Sequence, residues 1–183
     1  MYGQGDGWTD KQWKKFDRAQ RSAAKAMARR AGKMLKKADK LDKKGKTGGE
    51  RLRGLAASLE KGAAFLQSNG DDGAVANGLN AEDYAKLPGT TEAGAAAAAV
   101  GSPTISVNLD RFFKSGMVPK KTWIVGHESL HSAGLEHQYG TSGIGKGKIA
   151  YKVGTPGQEA AFKELAGTPA ADINPDHIMD EVY

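Results

Sequence analysis

Three of the chain's four histidines fall within eleven residues, in the stretch "HESLHSAGLEH" from His127 to His137. On a helix, His127 and His131 are four apart and project from one face at neighbouring turns, with Glu128 beside them. Gly134 is suited to the left-handed conformation that ends a helix and turns the chain back, so that His137 can approach the same point from a separate segment. Three imidazoles could then hold one metal ion and leave a fourth position for water. The chain has no cysteine, so a zinc site here must be built from His, Asp or Glu. With this composition, random order would yield H-E-x-x-H-x-x-G-x-x-H on the order of 10⁻⁵ of the time, for a motif defined beforehand.

The extended motif resembles the metzincin clan of zinc metallopeptidases, whose second hallmark is a downstream turn carrying a methionine beneath the metal. "NPDHIMDEVY" offers one: Met179 follows His137 by 42 residues, and Asn174-Pro175-Asp176 is turn chemistry. The resemblance implies that His127, His131 and His137 bind one catalytic Zn2+ and that Glu128 is the general base for hydrolysing a peptide bond. It also implies an extended peptide or protein substrate added beside the strand that precedes the active-site helix, which puts Ile105, Val107 and Leu109 of "TISVNL" at that edge. Tyr183 and His177 are the candidates for stabilising the oxyanion, ahead of Tyr139, and Asp180 is expected to orient a neighbouring group rather than bind metal. The sequence departs from the family in three respects. Gln138 follows the third histidine, only four residues follow Met179, and few strands are evident upstream.

The elements that must position these residues are legible in outline. Thr9 and Gln12 form a capping box and Trp8 can staple onto Trp13, which starts a helix over about 10–44 whose apolar residues recur at three, four or seven. Gln20 interrupts that stripe. A second helical pattern runs through Leu52, Leu55, Leu59, Phe65 and Leu66 to Asn69-Gly70, and the two are expected to pair as a hairpin. A short helix capped by Asn80, a half-buried strand at "TISVNL", a helix from about Lys120 to Ala133 and another at "GQEAAFKELAG" follow, while the Ala/Gly tract before Pro103 has no clear assignment. The expectation is an α+β, helix-rich, zincin-like domain at 70–183 behind a basic helical N-terminal region at 1–69.

Charge is unevenly spread. Residues 1–60 hold 17 Lys+Arg against 7 Asp+Glu, whereas residues 61–183 hold 10 against 14, so the net +6 is a sum of +10 and −4. The basic helix could meet phosphates of nucleic acid, an anionic membrane or an acidic partner. A competing reading of the whole is therefore a non-catalytic nucleic-acid- or partner-binding protein with a structural zinc, although such a site has no need of Glu128. "GTSGIGKG", Gly140 to Gly147, approaches a phosphate-binding loop but has Gly147 where a metal-binding hydroxyl belongs, and reads as a flexible loop. No apolar run is long enough to span a membrane and the start lacks a signal-peptide pattern, so the chain reads as soluble. A disulfide-free unit of this kind also resembles the C-terminal toxin domain of bacterial polymorphic or type VI secretion effectors. That would imply delivery by a secretion system and an immunity or inhibitor protein as partner.

Overall fold

Thr9 and Gln12 open the first helix as their spacing predicts. The Gln12 side chain accepts from the Thr9 N–H at 3.0 Å, and the Trp8 ring packs edge-on against Trp13 at 5.5 Å. This helix, α1, spans Asp10–Asp42, and α2 spans Gly49–Phe65. They are part of a computed structural model that describes residues 1–68, 73–90, 94–116 and 120–183. The boundary expected at 69/70 lies outside those residues. The protein is mixed α/β and helix-rich, with a four-stranded sheet among the described residues.

The chain forms two compact units. The first takes Met1–Lys25 and Gly62–Gly134, and the second Ala26–Lys61 and Leu135–Tyr183. The first unit holds the sheet: β1 (Gly3–Gln4), β2 (Val75–Leu79), β3 (Ala96–Ala98) and β4 (Thr104–Asn108), in the order β1-β2-β4-β3. β1, β2 and β4 are parallel, and β3 runs antiparallel to β4 at the open edge. Gln20, the break in the apolar stripe of α1, is fully buried and clamps β1 in place. It accepts from the Tyr2 N–H at 2.9 Å and donates to the Tyr2 carbonyl at 3.2 Å. These two hydrogen bonds offset the cost of burying a polar amide where an apolar side chain would otherwise pack.

Short helices α3 (Ala81–Ala85) and α4 (Leu109–Phe112) are each started by an asparagine, Asn80 and Asn108, whose side chain accepts a backbone N–H of the first turn. The central helix α5, Lys121–Ser132, is buried from Ile124 through Ser132 and packs on β3 and β4. A helix hidden on most of its circumference needs no amphipathic stripe, and its stability comes from tertiary packing.

In the second unit, Arg53 of α2 bridges to Asp39 at 2.9 Å and to Asp42 at 2.5 Å, so the end of α1 and the start of α2 face each other, as a hairpin requires. α6 (Pro156–Leu165) buries Ala161 and Leu165 against Ala150, with Phe162 and Ala170 beside them. α7 (Pro175–Asp180) begins at Asn174, whose carbonyl oxygen accepts from the Asp176 N–H while its amide donates to the Ala150 carbonyl. Pro175, which has no N–H to satisfy, takes the first helical position.

Candidate metal centre

α5 carries His127, Glu128 and His131 on successive buried positions, all three about 6% exposed. The four-residue spacing brings the two imidazoles together as expected, with Nε2 of His127 3.1 Å from Nε2 of His131. The helix then ends: the Gly134 N–H bonds the His131 carbonyl, and Gly134 adopts φ +90°, where a side chain would be strained. Three residues on, His137 arrives. The nitrogen donors of His127, His131 and His137 all lie within 4.8 Å of one another.

The donor set fits a metal ion. Two nitrogens bound at about 2.0–2.1 Å to a tetrahedral ion lie about 3.4 Å apart, close to the separation of the His127 and His131 Nε2 atoms. Two buried imidazole nitrogens facing each other at that distance need a proton or a cation between them. An all-imidazole set suits zinc and also copper, iron or nickel.

Three neighbours hold the ring planes. The Trp123 indole stacks on His127 at 5.0 Å and 19°, one helical turn earlier on the same face. The Tyr151 ring meets His137 edge-on at 4.5 Å. Behind His137, Asp176 Oδ2 stands 3.6 Å from Nδ1, the position of a carboxylate that orients an imidazole from outside the metal's own ligands. Burial raises the Asp176 carboxyl to about 7, against the lowering effect of the Lys152 N–H it accepts.

Glu128 is fixed from the sheet. Its Oε2 accepts the Ala98 N–H at 2.8 Å, so the carboxylate sits against β3, the edge strand. Below it, the Tyr2 hydroxyl pairs with Ser132 Oγ at 2.8 Å, and burial drives the pKa of that hydroxyl far above its ordinary value. Tyr2, Trp123, Tyr151 and Asp176 were not singled out as site residues from sequence. Only Trp123 had a local signal, its i, i+4 spacing to His127.

Several expectations need correction. Ile105 and Val107 do not offer a substrate edge, because β4 is paired on both sides and both residues are fully buried, while Leu109 begins α4. On that side of the sheet, the edge strand among the described residues is β3. His177 packs rather than reaching toward an oxyanion: its ring stacks on Phe162 at 3.8 Å and its Nε2–H donates to the Phe162 carbonyl at 2.8 Å. Burial lowers its pKa, and a neutral ring that has committed its one N–H retains only an acceptor at Nδ1. Met179 is fully buried and lies in the short helix α7. Tyr183 and Tyr139 are each about half exposed, at 51% and 56%. Asp180 pairs with Lys152, and the carboxylate facing a histidine is Asp176.

The Gly140–Gly147 segment is anchored and carries an anion of its own. The N–H groups of Thr141 and Ser142 point to the Glu164 carboxylate, which also takes the Thr141 hydroxyl and is thereby held below its ordinary pKa. No known protein family, curated protein or solved structure matches the chain.

Proposed function

We propose that the protein is a zinc-dependent metalloendopeptidase with a zincin-like, metzincin-related site. The observation that carries this reading is the convergence of three imidazoles within 4.8 Å beside a buried glutamate whose orientation is fixed by the sheet edge. When bound there, zinc supplies a Lewis acid and acidifies a water molecule. His127, His131 and His137 would hold it, with Asp176 behind His137. Glu128 accepts the proton of the attacking water on its carboxylate and returns it to the amine that leaves as the peptide C–N bond breaks.

β3 supports the substrate assignment. It is an edge strand of the sheet among the described residues, and its Ala98 N–H meets Glu128, so a peptide laid alongside β3 passes the base. Its three alanines present little bulk. Action as a secreted antibacterial toxin rests on the resemblance of the sequence and extends the same reading.

Metal analysis combined with peptidase assays tests it. The expected pattern is one equivalent of zinc in the wild type, none in His131→Ala, and zinc without cleavage in Glu128→Gln. Cleavage unchanged in Glu128→Gln would remove the proposed base, and a zinc-loaded wild type that cleaves no protein substrate would favour a structural metal instead.

A further inference from the structure

The outward face of α1 is a continuous strip of positive charge. Lys11, Arg18, Lys25, Arg29, Lys36 and Lys40 recur at spacings of four and seven and therefore lie along one line of the helix, and all are exposed. Lys14, Lys15, Lys33 and Lys43 widen that line on either side. The opposite face is buried, through Phe16, Ala23, Met27, Ala31, Met34 and Ala38. The four acids of α1 are displaced from the strip. Asp17 pairs with Arg21, Asp39 and Asp42 pair with Arg53, and Asp10 occupies the first turn, where it favours the helix start. None of the six cations on the line has an ion pair among the described residues.

Like charge on this scale repels itself and so destabilises the compact state, and the helix, stabilised by its buried face, does not require it. From Lys11 to Lys40, at about 1.5 Å per residue, the strip runs about 44 Å and exceeds one turn of a nucleic-acid duplex, about 34 Å. Its chemistry selects among polyanions. The apolar residues of α1 are turned inward, so the strip has nothing to insert into a lipid headgroup layer. It has no aromatic side chain on which an unpaired base could stack, which disfavours single strands. Its residues are mostly lysine, the type depleted from protein interfaces, with no large apolar anchor among them.

We propose that the exposed face of α1 binds the phosphate backbone of double-stranded nucleic acid, without regard to base sequence. Lysine ammonium groups on flexible stems contact phosphates and displace condensed counterions, so affinity falls steeply with salt. This site is separate from the histidine centre and uses none of its residues.

The test is fluorescence anisotropy with a random-sequence DNA duplex long enough to span α1, titrated with the full chain between about 50 and 200 mM salt. Two variants with equal net charge are compared. One reverses the strip (Lys25→Glu, Arg29→Glu, Lys36→Glu, Lys40→Glu), and the other reverses exposed lysines elsewhere (Lys114→Glu, Lys146→Glu, Lys148→Glu, Lys163→Glu); circular dichroism and zinc content verify that each folds. The expected result is at least about tenfold weaker binding by the strip variant and a log–log salt slope shallower by about 3 to 4, with the other variant close to wild type. Equal losses in both variants, no duplex binding at the lowest salt, or tighter binding to a single strand would overturn the proposal. Phosphatidylserine vesicles and an acidic polypeptide serve as competitors, and displacement of the duplex by either at lower concentration than by unlabelled DNA would also overturn it.

Discussion

Asp176 and Asp180 sit four residues apart, and only Asp176 faces a histidine. A carboxylate behind a ligating imidazole sets its orientation and raises its basicity, so Asp176→Asn is expected to weaken zinc binding by about 10- to 100-fold while Asp180→Asn leaves it near wild type, as measured by competition with a chromophoric chelator. His177 behaves differently. Its pKa is lowered in the fold, chiefly by burial, so the unfolded chain takes up the proton first as pH falls. The stability that neutral His177 contributes is fully present above its unfolded pKa of about 6.5, and is lost as pH falls through that value toward the lower folded one. Urea midpoints on either side of pH 6.5 should therefore drop more steeply toward acid in wild type than in His177→Gln; parallel profiles would show that the imidazole is not responsible. At this scale the sequence was most informative where partners are close along the chain. His127, Glu128 and His131 share one helix and His137 follows a glycine turn, so spacing alone announced them, whereas Asp176 is 39 residues beyond His137 and was visible only as turn chemistry.

Elements were legible in proportion to their local signals. Capping residues marked the starts of α1 and α3, periodicity gave α1 and α2, and α5 and α6 were also expected to within a few residues of their observed ends. The strands were harder. β1 is two residues long, β2 reads "VANGL", and β3 is three alanines, none rich in the branched and aromatic side chains that signal a strand; pairing with neighbours makes them strands. β4 alone had the alternating pattern, and the resemblance to the metzincins assigned it the edge that β3 occupies. The Gly140–Gly147 segment shows why glycine content alone does not mean mobility. A Cβ at Gly145 would lie 2.7 Å from the Ala161 backbone nitrogen, so this residue is glycine because α6 passes against it. Gly145→Ala should cost about 1–3 kcal/mol in a urea melt, the usual penalty for overpacking, while the exposed neighbour Lys146→Ala should change stability by less than about 0.5 kcal/mol.

For the whole molecule, helical patterns and the scarcity of strands pointed to a helix-rich chain and the charge distribution was uneven, and in the structure much of the basic excess lines the exposed face of α1. What the sequence did not foretell was that each of the two units draws on separate stretches of the chain, since nothing local marks a division inside α1 or α2. Metal removal should be felt throughout. An ion that binds only the folded chain, at about a thousand times its dissociation constant, adds about 4 kcal/mol of stability, so a chelator should lower Tm in wild type and leave His131→Ala unchanged. The stacked pair of Trp123 and His127 makes such experiments observable without a label. The other two indoles, Trp8 and Trp13, lie in an aromatic cluster with Phe16, while Trp123 shares its face with an imidazole. An indole stacked on an imidazole responds to the charge on that ring, so loading a metal at His127 is expected to change Trp123 emission, and a Trp8→Phe/Trp13→Phe chain would isolate that signal.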